Sequence, residues 1–502
     1  MKKACIILLA VLMCTSIVPA APVLVSGVDI SKWRGFNLTE QYNVGKEKPF
    51  LESDFKLISE LGFNFVRLPV DYRIYDDTNN PRSYKEDKLK ALDEAVEFGE
   101  KYKIHVCINL HKAPGFCINK TVGINDELWT DAATQDYFVD YWVMLTKRYK
   151  KYSAERVSLN LLNEPARTKP EIFLPLMQRV VKAINEADPK RLIVMDAYNV
   201  GAVPMAELYK MNNVVTAIRG YAPGNLTHYK AEWVKGSDTY AVPEWPVACK
   251  VGAYLYAPSK TDVPNGPAVI RGKFPAGTKV VVNVAQVSKK ADFKVKSDDA
   301  VIFEKIFEPK DGAGEWKEVV YKKEYDMYQN KYDKEYTTAA VTKDASTLTL
   351  VNTDGDWMRL NGIKIQFPAG KEVQLQTEFA WGRKHADYIL DANGRLSAEG
   401  FDGEYPVKNF LAPWKDAITN GAKVFVGEMG AYKYTPHDVT LRWFETCLSQ
   451  YKSMNIGWAL WSFRGGGFGP IDSGRKDVQF EEKDGMKIDR KMMDLLIKYR
   501  NY

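Results

Sequence analysis

Residues 156–165 read RVSLNLLNEP. Seven of these ten residues fit a short, mostly apolar strand, and the stretch then ends on Asn163, Glu164 and Pro165. An apolar strand gains nothing from a terminal carboxylate, because burying one is costly unless it is paired. The ending therefore points to chemistry rather than packing. The flanking segments, Ala132–Tyr152 before it and Pro170–Ala187 after it, carry apolar residues at three- and four-residue spacing, the period of a helix packed on one face.

This strand–helix unit recurs. Strands are predicted near Val28–Asn37 and at Asn64–Pro69, His105–His111, Arg156–Pro165, Arg191–Tyr198 and Val214–Pro223. Helices are predicted at Leu51–Leu61, Glu86–Lys103, Ala132–Tyr152 and Pro170–Ala187. Apolar strands alternating with helices argue for a parallel sheet with helices outside. The alternation stops near Val247. From Ala248 to Tyr405 the sequence turns to short β runs such as KVVVNVAQV and WMRLNGIKIQF, separated by Pro, Gly, Asn and Asp. It then resumes with a short helix at Trp414–Asn420, a strand at Lys423–Gly430 (KVFVGEMG), a helix at His437–Met454, a strand at Ile456–Phe463 and a closing helix at Lys491–Arg500. Six strands before the β block and two after it make eight. The expected fold class is α/β: a (β/α)₈ TIM barrel with an all-β sandwich inserted after strand six. The expected domains are residues 21–247 and 406–502 for the barrel and residues 248–405 for the sandwich.

The chain begins MKKACIILLAVLMCTSIVPAAP. A short basic start, an apolar run and small residues at Val18-Pro19-Ala20 form a signal-peptide pattern over residues 1–20, with a lipid anchor at Cys14 as the lesser alternative. No later run is apolar enough for a membrane span. The expected location is secreted or periplasmic. A net charge of +6 on 502 residues, without a long basic run, gives no reason to expect nucleic acid as a partner. After cleavage four cysteines remain. Cys107 and Cys117 are candidates for a disulfide, with isolated buried thiols as the alternative.

In a barrel, reactive groups gather at the C-terminal ends of the strands. Arg67 lies on strand two, His111 ends strand three, Asn163 and Glu164 end strand four, Arg219 and Tyr221 lie at strand six, Glu428 at strand seven and Trp461 at strand eight. Two carboxylates facing each other across a barrel mouth suit glycoside hydrolysis, where one group must be protonated and the other ionised. The metal-dependent alternative lacks ligands. The chain has only five His (His105, His111, His228, His385 and His437), with no HxH or HExxH spacing. His105 lies inside a strand and reads as structural. No cofactor is expected either, since the one glycine-rich run, Arg464–Gly469, follows the last strand.

On these motifs the sequence resembles glycoside hydrolase family 5, which contains many cellulases. The matching stretches are RGFNL (34–38), GFNFVRLPVDYR (62–73), NLHKAPG (109–115), LLNEP (161–165), LTHYKAEW (226–233), VGEMG (426–430) and the segment 458–478. The resemblance implies Glu164 as acid/base and Glu428 as nucleophile of a retaining enzyme. It also implies Arg67 and Tyr221 orienting Glu428, Asn163 bonding the sugar 2-hydroxyl, His111 lining the −1 subsite and Trp461 forming a sugar-stacking floor. One position departs: where the family usually has His two residues before the strand-six Tyr, this chain has Arg219. An added cation there is expected to shift the pH optimum or subsite specificity, or to mark a degenerate site.

The expected partner is a polysaccharide or oligosaccharide, first β-1,4-glucan, then mixed-linkage glucan or xyloglucan, then β-mannan, with the protein acting as a monomer. A non-catalytic glycan-binding protein is the alternative class. The inserted sandwich is expected to be a carbohydrate-binding module with Trp316, Trp357 or Trp381 as platforms, or else a purely structural shield. Trp129, Trp233 and Trp245 are candidates for plus subsites or for packing. Asp354 and Asp356 suggest a turn or a calcium site.

Overall fold

The computed structural model describes residues 24–501. It separates into two compact units, one formed by the chain up to Pro243 together with Pro406 onward, the other by Glu244–Tyr405. The residues of the signal-peptide reading, including Cys14, lie outside the described residues.

The first unit is a closed eight-stranded barrel. Its strands are β1 (Arg34–Asn37), β2 (Phe65–Asp71), β3 (His105–Lys112), β4 (Val157–Asn160), β5 (Leu192–Asp196), β6 (Val214–Gly220), β7 (Val424–Met429) and β8 (Gly457–Leu460). Each pairs in parallel with its neighbours in this order, and β8 returns to β1. Every strand residue is buried, so the strands carry apolar side chains on both faces rather than alternating. The barrel tolerates no side chain at Gly35, where a Cβ would lie 1.6 Å from the Phe65 carbonyl oxygen.

The longer helices are α1 (Glu52–Glu60), α2 (Glu86–Tyr102), α3 (Ala132–Tyr149), α4 (Pro170–Ala187), α5 (Tyr405–Thr419), α6 (His437–Ser453) and α7 (Arg490–Lys498). In α4, Pro170 occupies the first turn, where its missing N–H costs nothing. Phe173, Leu176, Met177, Val180, Val181 and Ile184 form its buried stripe. Asp131 caps α3 by accepting from the Thr134 amide, and Asp489 caps α7 by accepting from that of Met492. Helix α5 begins nine residues before the predicted Trp414, at Tyr405. Pro413 sits inside it, and a proline normally marks a boundary. Strands four and eight are shorter than predicted. They stop at Asn160 and Leu460, and the chain beyond them forms the rim.

The N-terminal ends of the strands are closed by an apolar plug. The hairpin of Leu24–Val25 and Val28–Asp29 leads into Trp33, which packs on Phe65, His105 and Phe425. His105 belongs to this plug. Its ring nitrogens meet the Glu155 carbonyl at 3.0 Å and the Ser158 hydroxyl at 2.7 Å, and burial holds its pKa down to about 3. Cys107, Cys117, Cys249 and Cys447 are all buried, and no disulfide joins them. The disulfide alternative for Cys107 and Cys117 is therefore not adopted: Cys107 lies in the plug inside β3, Cys117 in the loop beyond that strand's other end.

The second unit has two sheets around one apolar core. One runs Ala300–Phe307, Ala291–Ser297, Ala345–Gly355, Ala268–Phe274, Tyr388–Leu390, Leu396–Ala398. The other runs Tyr254–Tyr256, Trp357–Gln366, Lys279–Val287, Lys331–Thr337, with Glu372–Leu375 added on Trp357–Gln366. Both contribute to a shared core that includes Ile270, Phe293, Leu350, Val282 and Leu360. The two-residue alternation is plain in Ala291–Ser297, where every second side chain is buried. The unit's ends are tied together, since the Val247 amide donates to the Gly403 carbonyl at 2.8 Å. Trp357 is buried, Trp316 is partly buried with its indole N–H on the Gly312 carbonyl, and Trp381 is 51% exposed. Asp354 is paired with Lys290, and Asp356 accepts from the Ser288 hydroxyl.

Candidate active site

The strand ends deliver their polar residues to one rim. Arg67 projects from β2 with its side chain fully buried. Its Nη1 donates to Glu428 Oε1 at 2.6 Å and to Asn37 Oδ1 at 2.9 Å, its Nε to Asn160 Oδ1 at 2.7 Å, and its Nη2 to Asn163 Oδ1 at 2.9 Å. Four strands thus meet at one planar cation, whose fork fixes direction as well as charge. Asn37 is held in turn by the carbonyls of Gly427 and Leu460, at 3.1 and 3.2 Å.

Glu428 lies in β7 and its side chain is 4% exposed. Beyond Arg67, its Oε2 accepts from the Tyr221 hydroxyl at 3.1 Å, and Arg219 Nη2 stands 3.3 Å from its Oε1. Burial first, and then the charge of Glu428, holds the Tyr221 phenol well above its usual pKa, so it stays a donor. These donors fix the Glu428 carboxyl in place and aim it.

Glu164 is placed differently. It follows β4 in a left-handed conformation (φ 47°), an uncommon backbone state for a residue with a Cβ. Its amide donates to Asp196 Oδ2 at 2.8 Å, its Oε1 lies 3.3 Å from Arg219 Nε, and its Oε2 lies 3.4 Å from Asn163 Nδ2. Burial raises the Glu164 pKa from 4.5 to about 7, the nearby Glu428 charge adds to that, and Arg219 opposes it. Burial and the neighbouring charge thus favour the protonated form of Glu164.

His111 sits at the end of β3, against Trp461 (ring centroids 5.3 Å apart) and Tyr42 (4.8 Å). Burial, helped by Arg67, Arg219 and Lys112, holds it well below its usual pKa, so it is neutral. Its Nδ1 is buried and has no hydrogen-bond partner among the described residues. All seven predicted site residues, Arg67, His111, Asn163, Glu164, Tyr221, Glu428 and Trp461, therefore come to the C-terminal rim of one barrel. Trp129 packs on Phe116 and Phe173, and Trp245 is buried. Trp233 is 48% exposed and lies edge-on to Tyr432.

Four residues of the site escape a sequence reading. Asn37 and Asn160 lie on strands whose ends look otherwise apolar. Tyr42 comes from an irregular loop and carries no pattern. Asp196 had a signal: it closes the apolar run RLIVMD, as Glu164 and Glu428 close theirs. It is fully buried and accepts from Asn160 Nδ2 at 3.0 Å, from the Glu164 amide, and from Arg219 Nη2.

Comparison with known proteins bears on this arrangement directly. Residues 23–247 match the family model described as cellulase (glycosyl hydrolase family 5). Residues 23–247 of the barrel are thus similar to glycosyl hydrolase family 5. Among similar proteins, endoglucanase C of Acetivibrio thermocellus (strain ATCC 27405) is 32% identical over 224 residues, covering 43% of this chain and 62% of that protein. Cellodextrinase A of Ruminococcus flavefaciens is 29% identical over 190 residues, covering 36% of this chain and 54% of that protein. The chain thus spans less than two thirds of the length of these curated relatives. A crystal structure of a glycoside hydrolase aligns with a TM-score of 0.59 at 26% identity, over 93% of this chain and 99% of that one. Thermotoga maritima Cel5A in complex with cellobiose shares the fold at a TM-score of 0.52 and 16% identity, over 93% and 97% of the two chains.

Proposed function

We propose that the protein is a retaining glycoside hydrolase that cleaves internal β-1,4 bonds of a glucan by double displacement. The observation that carries this reading is the unequal pair at the family 5 rim. Glu428 is gripped by Arg67 and Tyr221, while Glu164 is held by its backbone, has a raised pKa and reaches the same Arg219 guanidinium.

The chemistry follows from that difference. Glu164 gives its proton to the leaving glycosidic oxygen while Glu428 Oε2 or Oε1 attacks the anomeric carbon and forms a glycosyl ester. Glu164, now ionised, takes a proton from water, which displaces Glu428 and leaves the product with its starting configuration. Asn163, oriented by two guanidinium donors on its Oδ1 at 2.9 and 2.8 Å, presents its amide N–H to a sugar hydroxyl. Trp461, His111 and Tyr42 offer an apolar, aromatic wall for a sugar ring. No step calls for a metal or organic cofactor.

The glucan assignment draws on the relatives described as endoglucanases and a cellodextrinase. A reducing-sugar assay on β-1,4-glucan, mixed-linkage glucan, xyloglucan and β-mannan tests it: the largest release is expected on β-1,4-glucan, and preference for β-mannan would reassign the substrate. Export of the mature chain is part of the same reading. Among the described residues, no helix is long and apolar enough to cross a membrane. Intact mass of protein from its native host should start at Ala21, and a retained Met1 or a lipid on Cys14 would contradict export by cleavage.

A further inference from the structure

Arg219 occupies the β6 position where family 5 usually has His, and the surrounding chain is shaped for it. At Gly201, a left-handed residue (φ 73°), a Cβ would come within 2.8 Å of Arg219 Cγ. At Gly427 a Cβ would come 3.0 Å from Arg219 Nη1. Gly201 thus leaves room for the stem of the side chain, and Gly427 for its guanidinium. The cation is also answered by a dedicated anion. Asp196, at the end of β5, takes Arg219 Nη2 on the same Oδ2 that accepts the Glu164 amide, while its Oδ1 is fixed by Asn160.

Arg219 touches both glutamates, through Nε to Glu164 Oε1 and through Nη2 to Glu428 Oε1, each at 3.3 Å. The buried cluster holds two cations, Arg67 and Arg219, and three carboxyls, Asp196, Glu164 and Glu428. Charge balances when only one of the two glutamates is ionised. That holds in the resting site below about pH 7, when Glu164 carries its proton. It holds again in the glycosyl ester, where Glu428 is esterified and Glu164 is the anion. A buried charge without a partner is expensive, so the count itself favours single ionisation at both stages.

We propose that Arg219 and Asp196 act as one coupled positioning pair, which fastens Glu164 and matches the buried charge so that one glutamate is ionised at a time. The proposal rests on the glycosidase reading above. Its consequence is antisymmetric. Neutralising Arg219 leaves one cation for three carboxyls, so Glu164 holds its proton more tightly. Neutralising Asp196 leaves two cations for the two glutamates, so Glu164 gives its proton up more readily. Removing both restores the balance with Arg67 and Glu428 alone. The other polar groups that act on Glu164, Asn163, Arg67 and the Tyr221 and Tyr42 phenols, are unchanged across these variants.

The test uses the full chain labelled with carboxyl ¹³C in glutamate, in the wild type, Arg219→Gln, Asp196→Asn and the double variant. The Glu164 resonance is assigned by its loss in Glu164→Gln. Charges this close move a carboxyl pKa by about 1 unit or more. The Glu164 midpoint is expected to rise by about that much in Arg219→Gln, to fall by about that much in Asp196→Asn, and to return most of the way in the double variant. The alkaline limb of kcat/KM on a soluble glucan oligosaccharide should move in the same directions. Arg219→Lys, which keeps the charge and loses the fork, should lower kcat while leaving the midpoint near that of the wild type. Shifts in the same direction for both single variants, no shift in either, or a midpoint in Arg219→Lys that follows Arg219→Gln would overturn the proposal. A wild type that cleaves no glucan would sink the glycosidase reading instead, and the carboxyl titration would still decide the pair.

Discussion

Replacing Glu164 by Gln removes a proton-binding site whose affinity the fold has changed, and that change has a measurable size. Burial and the Glu428 charge raise the Glu164 pKa from 4.5 to about 7. In the native protein the group therefore holds a proton between about pH 4.5 and 7 that the unfolded chain has released. Its contribution to stability is fully present below about pH 4.5 and is lost as pH rises through about 7. At about 1.4 kcal/mol for each tenfold change in proton affinity, the loss is up to roughly 3 kcal/mol. Gln keeps the shape and cannot ionise. The stability of Glu164→Gln minus that of the wild type should therefore grow by up to roughly 3 kcal/mol between pH 4.5 and pH 8, with the other titrating groups cancelling in the difference. Urea unfolding of both proteins at several pH values measures this. A difference that is flat with pH would show that Glu164 is an ordinary carboxylate, and the assignment of the acid would fall with it. In the wild type, the same pKa places the alkaline limb of kcat/KM near pH 7.

Further outcomes follow from other parts of the site. Glu428→Gln should lower turnover by more than about a thousandfold with an unchanged circular dichroism spectrum; near-normal turnover would remove Glu428 from the chemistry. Arg67→Met strips the cation that Glu428, Asn37, Asn160 and Asn163 share, and unfolding by denaturant should show a loss of about 3–5 kcal/mol, the usual cost of leaving a buried charge without its partner. With four buried cysteines and no disulfide among the described residues, a reducing agent should leave the thermal midpoint of the mature chain unchanged, and a thiol reagent should react with these four only on unfolding. Replacing residues 244–405 by a short Gly/Ser bridge should leave a folded barrel that still cleaves short oligosaccharides, because that unit has its own core and its ends are tied at Val247 and Gly403; size-exclusion chromatography and activity on a soluble oligosaccharide check this.

The barrel was legible because its signal is repeated. Eight apolar runs with helical segments between them leave few other topologies, and the carboxylates closing runs four and seven mark the rim. The β-rich block showed in the sequence as a change of period from 3.6 to 2. What escaped was local. The start of α5 was hidden by Pro413, since an internal proline and a helix boundary look alike in sequence. The ends of strands four and eight were overextended, because Leu161, Leu162 and Phe463 are as apolar as strand residues and yet line the rim's foundations. Asn37 and Asn160 could not be ranked, as their importance lies in which donor they meet across the barrel. Asp196 is the instructive omission. It obeyed the same rule that found Glu164, a carboxylate at the end of an apolar strand, and its partner Arg219 was already conspicuous as a departure from the family pattern. A buried cation implies a buried anion nearby, and Asp196 answers to that.

The central claim is that Glu164 and Glu428 act as acid/base and nucleophile in a double displacement. Proton NMR of the first-formed anomer, recorded while the enzyme cleaves a soluble β-1,4-glucan oligosaccharide, tests it most directly. The β-anomer should appear first and mutarotate later. The α-anomer appearing first would mean a single displacement, and with it Glu428 could not be the nucleophile.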